Sequence, residues 1–392
     1  MAAQPHVNRR RFLGHAAGAP LLLSLGQPVS AQDQPREGLI ERLRDPQNLE
    51  FPFHTLDSFI IPNDRFFVRS HFAVPALEAR TWRLRIEGAV TRGMEYSYDQ
   101  LRALPSRTVT ATLECAGNGR ALMVPPLRGL GWHQGAVGNA EWTGVPLTTV
   151  LEQAGVRAGA AEVVLEGADR GDVTAEPRPN GPISYARSLP LAQARQVDVL
   201  LALRMNGMDL PPAHGFPLRA IVPGWYGMAS VKWLTRIVVV EAPFQGYWQT
   251  SDYSYFERVQ GMPAMRAVTE MQVKSHIARP RALEEVPAGR DYRVHGAAWT
   301  GGGAEVARVE FSADAGQTWS AARLTPPPGE AGTQRFSWRL WEYTWRAPAN
   351  AGRVTLLSRA TDSRGRTQPT MRDPDRRTYM ISHIFPVEVQ VA

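Results

Sequence analysis

The sequence predicts an α+β domain over residues 45–262 followed by an all-β sandwich over residues 268–392. Two patterns carry this. In the first stretch, short alternating runs are interrupted by brief amphipathic segments and many Gly and Pro turns; in the second, runs of period two recur between turn clusters with no helical run among them. A third observation bounds the folded part, because residues 1–31 read as an export leader rather than as a domain.

Taken in order, Trp82-Arg83-Leu84-Arg85-Ile86-Glu87-Gly88 alternates as a half-exposed strand does. Thr108-Val109-Thr110-Ala111-Thr112-Leu113 is a strand rich in β-branched residues. Residues 147–154 and 189–195 have the spacing of short amphipathic helices. Residues 161–167, 218–223 and 230–240 return to the strand pattern, and residues 66–72 are read as a strand with Arg69 and His71 on one face. In the sandwich, residues 291–299, 306–312 and 353–358 alternate, separated by Gly301-Gly302-Gly303 and Pro326-Pro327-Pro328-Gly329.

The leader contains Asn8-Arg9-Arg10-Arg11-Phe12-Leu13, a modest apolar run over 16–25 and a Val29-Ser30-Ala31 cleavage-like site. It resembles a twin-arginine signal, which implies export of the folded protein to a bacterial periplasm with a cofactor already inserted. No stretch has the 18 or so consecutive apolar residues that a spanning helix needs, so no membrane span is expected. The formal charge of +7 falls to +4 without Arg9, Arg10 and Arg11. That is too mild to argue for nucleic acid as a partner.

Cys115 is the single cysteine among 392 residues, in Leu113-Glu114-Cys115-Ala116-Gly117-Asn118-Gly119-Arg120. A lone thiol forms no disulfide within its chain; it is either a small buried hydrophobe or a metal thiolate, and the residues around it do not separate the two. Arg69 and His71 suit an anion, or simply a solvated face. His214-Gly215-Phe216-Pro217-Leu218-Arg219 and Ser230-Val231-Lys232-Trp233-Leu234 combine a fork-shaped and a point cation with glycine turns, as a phosphate site does, or as a basic surface loop does.

The order of these clusters is more specific than any one of them. Phe-x-Arg-x-His, Glu-Cys-Ala-Gly-Asn-x-Arg, Met205-Asn206-Gly207, His-Gly-Phe-Pro-x-Arg and Val231-Lys232-Trp233-Leu234 resemble, in sequence order, the molybdenum domain of the sulfite oxidase family. The matches run over residues 53–253, and the sandwich is similar to that family's immunoglobulin-like dimerisation domain, which implies a homodimer. The resemblance implies a molybdenum-molybdopterin cofactor, one molybdenum per chain, with Cys115 as the one protein ligand. It places Phe67, Val68, Arg69, Ser70, His71, Asp169, His214, Arg219, Ser230, Val231 and Lys232 at the cofactor. Asp169 is set apart by an insertion of several residues before His214.

The same resemblance implies that Arg69 and Arg120 flank a substrate oxyanion, that Trp132 forms an apolar wall, and that Tyr253 reaches toward the metal. A further arginine is expected from the sandwich: counting back from the last strand gives Arg377, with Arg376 the alternative. The implied reaction is oxygen-atom transfer converting sulfite to sulfate. One cysteine cannot make a Cys-x-x-Cys-His haem attachment, so no haem is expected in this chain and a separate c-type cytochrome is the expected electron acceptor.

Gly119 stands where the sulfite-oxidising relatives carry a second arginine, and the loop from Ala121 to Arg128 lacks the expected charges. These departures leave the cofactor expectation intact and weaken the one on sulfite: a sulfane dehydrogenase or other sulfur-compound oxidoreductase stays open, as does a reductive enzyme of the nitrate or sulfoxide type, the sandwich arguing against the sulfoxide type. An alternative of another class is a cofactor-free periplasmic binding or assembly module.

Overall fold

The structure is a computed structural model, which describes residues 38–329 and 334–392. The leader over residues 1–31 lies outside the described residues. The described residues form one compact unit.

Two five-stranded sheets build the first part. In one, Arg107–Glu114 pairs along its length with Val137–Pro146, which pairs with Leu200–Met205; Met208–Asp209 and Arg219–Ile221 extend it. In the other the order is Met94–Ser97, Arg83–Gly88, Leu234–Val240, Glu162–Gly171 and Ile183–Pro190, with Arg83–Gly88 parallel to Leu234–Val240 and the remaining pairs antiparallel. The predicted helix at Leu147–Ala154 forms, burying Leu147, Val150, Leu151 and Ala154 and ending on Gly155 at φ +70, a left-handed cap that glycine adopts without a Cβ penalty. The second predicted helix shrinks to Leu191–Ala194, because the strand Ile183–Pro190 runs into its first residues.

Residues 66–72 are not the predicted strand. Their ladder is one isolated bridge, Leu49 to Val68. At Ser70 a side chain takes the place of a neighbouring strand, since the Asn48 carboxamide accepts from Ser70 N at 3.1 Å and donates to Ser70 O at 3.1 Å. This satisfies the backbone locally and leaves the alternate side chains free to face inward.

The sandwich packs one sheet of Lys274–Arg279, Asp291–Trp299, Arg339–Arg346 and Arg323–Leu324 against another ordered Glu285–Val286, Val387–Val391, Gly352–Asp362, Val306–Ser312 and Ser320–Ala321. The inward residues of both, among them Val294, Val309, Trp341, Leu356 and Val389, make a buried core of their own. The larger core runs from the first part into this one, taking in Met271, Ala297, Trp299, Trp338 and Tyr379. That continuity fixes the sandwich against the first domain. Among the described residues no helix is long and apolar enough to cross a membrane.

Candidate active site

Cys115 sits where the strand Arg107–Glu114 ends, and its loop is held by the strand behind it. Cys115 N donates to Ala136 O at 2.9 Å, Asn118 N to Cys115 O at 2.9 Å, and Ala136 N to Asn118 Oδ1 at 3.1 Å. The amide of Asn118 donates to Glu114 Oε1 at 3.1 Å. The Cys-Ala-Gly-Asn run is therefore a turn in which the asparagine satisfies backbone and carboxylate together. Cys115 is a free thiol, buried except for the face it turns to a cavity.

That cavity has a volume of about 60 Å³ and is partly open to solvent. Arg69, Ser70 and His71 line it from the 66–72 segment, together with Phe67. Asp169 enters from the end of Glu162–Gly171, Arg219 opens the strand Arg219–Ile221, and His214, Ser230 and Lys232 come from the loops on either side of it. Tyr253 completes the wall beside the π-helical turn Trp248–Asp252. Residues from sequence positions 67 to 253 thus converge on one space. Two expected residues do not face it: Val68 packs with Leu49 and Ala213 in a separate small cluster, and Val231 is a core residue whose carbonyl accepts from Ala220 N at 2.8 Å. In both, alternation along an extended segment turns the apolar side chain away from its polar neighbours.

The polar lining is held short of full satisfaction. Arg219 donates to His214 O at 3.0 Å and Ser230 O at 3.2 Å and lies 4.8 Å from the Trp142 ring centre, with no carboxylate partner among the described residues; burial lowers its pKa to about 9. Asp169 is pushed up to about 7 by burial, against the opposing pull of Lys232. Lys232 Nζ donates to Ser70 Oγ at 3.1 Å and Ala213 O at 2.9 Å. Asp169 Oδ1 and Arg219 Nε are buried without a hydrogen-bond partner among the described residues. Orphaned polar atoms at a cavity wall are costly unless a ligand answers them.

These donors fit a pterin phosphate cofactor: a carboxylate for ring N–H groups, a guanidinium and an ammonium for phosphate, and one thiolate for the metal. Among the described residues no cluster of three or more His, Cys, Asp or Glu could hold a metal. A metal at Cys115 would take its other ligands from a cofactor.

On the side of Tyr253, the tyrosine hydroxyl lies 2.7 Å from Nε2 of His71. Burial, reinforced by Arg69, Lys232 and Arg187, holds the His71 pKa well below its ordinary value, while burial raises that of Tyr253. A neutral imidazole and a protonated phenol share this bond, so it is a fixed contact rather than an ion pair. The sequence did not single out Tyr185, whose ring stacks on His71 at 4.5 Å and whose hydroxyl donates to Met228 O at 2.8 Å. Nor did it find Trp248, 4.4 Å from His71, or Arg187, fully buried and donating to Val268 O at 2.8 Å and to Trp248 O. Tyr185-Ala186-Arg187 lies in an alternating strand, and only a buried arginine on the cavity side would have marked it.

The remaining expected substrate residues sit differently. Arg120 is closed between Gly117 and Gly129, where an added Cβ would lie 2.5 Å and 2.6 Å from its guanidinium, and it donates to Thr378 O and Leu130 O. Trp132 is a fully buried core residue and does not line the cavity. Arg377 spends its guanidinium on Ser251 O and Ser254, and Arg376 pairs with Asp373 at 3.1 Å while lying 4.6 Å from the Tyr255 ring centre. Of the arginines expected at the substrate, Arg69 alone lines the cavity; Arg120 and Arg377 are taken up by backbone carbonyls where the sandwich coil meets the first domain, and Arg376 by the Asp373 carboxylate. At Gly119, φ is +95 and an added Cβ would meet the Phe385 ring at 3.0 Å. Phe385, Ile381 and Met123 fill that space with apolar side chains.

Residues 71–248 match the family model of the oxidoreductase molybdopterin binding domain, and residues 265–391 match that of the Mo-co oxidoreductase dimerisation domain. The sulfite oxidase of Gallus gallus is 40% identical over 88% of this chain and 76% of its own length. The mitochondrial sulfite oxidase of Drosophila melanogaster is 37% identical over 88% of this chain, which spans 61% of that relative. The crystal structure of the sulfane dehydrogenase SoxCD from Paracoccus pantotrophus superposes with a TM-score of 0.74 at 28% identity, covering 95% of this chain and 93% of that one.

Proposed function

The chain belongs to the sulfite oxidase family of molybdopterin oxidoreductases, and from that premise we propose that it oxidises sulfite to sulfate in the periplasm and passes the electrons to a separate c-type cytochrome. The observation that carries the reading is the convergence on one cavity of Cys115, the orphaned Asp169 and Arg219 atoms, Lys232 and Tyr253. Export rests on the paired arginines of the leader, and the cytochrome on the single cysteine, which cannot attach a haem through two thiols.

When bound, a molybdenum pterin supplies the oxygen-atom transfer itself. Cys115 would anchor the metal and Asp169 the pterin ring, while Arg219 and Lys232 would meet the phosphate, one molybdenum in each chain of a homodimer. The chain's own contribution is placement and charge. Arg69 offers a buried cation at the cavity wall, where a charge attracts an oxyanion more strongly than in water. The hydroxyl of Tyr253, aimed by His71, supplies a protonated donor on the same side.

A second reading is favoured by Phe385: with an aromatic ring against Gly119 and Arg120 held by carbonyls, the pocket has less positive charge than a dianion prefers. Oxidation of a sulfane sulfur would suit it, as would the SoxCD likeness. The two are separated by sulfite-dependent reduction of cytochrome c with the purified protein, Cys115→Ser being the control. Turnover with sulfite supports the first; none with sulfite but turnover with a thiosulfate conjugate supports the second.

A further inference from the structure

Four consecutive residues of the sandwich, 377–380, pack against the back of the cavity wall, touching Ala116 and Tyr253, which line it. Met380 N donates to Ala116 O at 2.8 Å, beside Cys115. Thr378 O accepts from Nε and Nη2 of Arg120 at 3.2 and 3.0 Å. Tyr379 lies with its ring 4.8 Å from that of Tyr253, tilted by 36°, and its hydroxyl donates to Asp252 Oδ1 at 2.9 Å. The Arg120 guanidinium sits 5.2 Å from the centre of the same Tyr379 ring, and Arg377 closes on Ser251 O and Ser254 O. Arg377 and Met380 hold φ values of +56 and +54, a region that residues with side chains occupy only when their surroundings over-determine it.

We propose that Tyr379 is a positioning residue for the reaction: carried by the dimerisation domain, it fixes the tilt of Tyr253 and so the direction in which the Tyr253 hydroxyl enters the cavity. The inference rests on the reading of Tyr253 as the donor facing substrate. Tyr253 has one ring edge against His71, with Trp248 at 6.5 Å and the Arg187 guanidinium 5.8 Å from its ring centre. Tyr379, at 4.8 Å, is the nearest of these rings and limits how far Tyr253 can rock about its side-chain torsions, and its bond to Asp252 ties the preceding residue as well. Burial raises the pKa of Tyr379 well above its ordinary value, so it stays a donor to the Asp252 carboxylate. The sandwich thus completes the site as well as contributing an interface.

The test uses the full-length, cofactor-loaded protein grown with 3-fluorotyrosine, in the wild type, Tyr379→Phe and Tyr379→Leu. The Tyr253 fluorine resonance is identified by its loss in Tyr253→Phe. In Tyr379→Leu, kcat with sulfite is expected to fall about tenfold with KM within about twofold, since a small misplacement of a reacting group is costly in rate. The Tyr253 resonance should shift or broaden in the same variant. In Tyr379→Phe, which keeps the stacked ring, both readouts return most of the way. An unmoved Tyr253 resonance in Tyr379→Leu overturns the proposal, as does a loss of rate that follows molybdenum content alone. If the wild type does not turn over sulfite, the reading of function fails and the fluorine spectrum by itself decides Tyr379.

Discussion

Lys274 Nζ lies 2.6 Å from Glu114 Oε1, and both side chains are sealed from solvent. The other carboxylate oxygen accepts from Trp299 Nε1 at 2.8 Å. Glu114 is the residue before Cys115, while Lys274 and Trp299 belong to the sandwich, so this buried pair ties the thiol loop to the second domain. Removing one partner leaves an unpaired buried charge. Lys274→Met is expected to cost about 3–5 kcal/mol of stability, and a double variant with Glu114→Gln to recover part of it. Denaturant unfolding of the three proteins measures both numbers.

Arg219 has a built-in conflict between stability and binding. Buried with no carboxylate partner among the described residues, its charge is expected to cost the cofactor-free protein stability, while at the cavity wall it suits a phosphate. Arg219→Met should leave the cofactor-free protein as stable or more stable by about 1 kcal/mol, and should lower the molybdenum retained after purification. Thermal unfolding and elemental analysis of one preparation give both results.

Much of the fold and of the cavity was legible in the sequence, for identifiable reasons. The strand before Cys115 announced itself by β-branched residues, and the sandwich strands at Asp291–Trp299 and Val306–Ser312 by strict alternation. The central strand Val137–Pro146 did not, because two glycines, an asparagine and a glutamate interrupt any period of two. Site residues inside compact motifs, such as His214 with Arg219, converged on the cavity. Residues whose position depends on docking between distant segments were the ones placed elsewhere: Arg120 and Arg377 met backbone carbonyls of the other domain, which no local pattern encodes. For the same reason Tyr379 and Arg187 were invisible before the structure.

Gly119 is held in the left-handed region against Phe385. Gly119→Ala should therefore destabilise by about 1–3 kcal/mol through backbone strain and the ring contact together. Gly119→Ala combined with Phe385→Leu should relieve the contact part only, leaving the strain. Comparing the two in denaturant unfolding separates the components.

His276 lies within 6.0 Å, centre to centre, of Phe53, Trp299 and Phe385, and burial holds its pKa well below the ordinary histidine value. The folded state keeps it neutral, whereas the unfolded chain binds a proton below about pH 6.5. Its contribution is thus fully present above that pH and is lost as the pH falls toward the folded value. His276→Phe should flatten the decline in stability between about pH 6.5 and 5, a window set by the unfolded pKa. Unfolding midpoints measured across that range test the slope; an unchanged slope contradicts the assignment.

The central claim is that the cavity at Cys115 holds a molybdenum pterin. Its most direct test is the molybdenum content of the wild-type protein, purified after expression in a host that makes molybdopterin. About one molybdenum per chain, accompanied by pterin, is the result predicted from a single protein thiolate whose other ligands come from the cofactor. A protein that is folded and carries no molybdenum contradicts it.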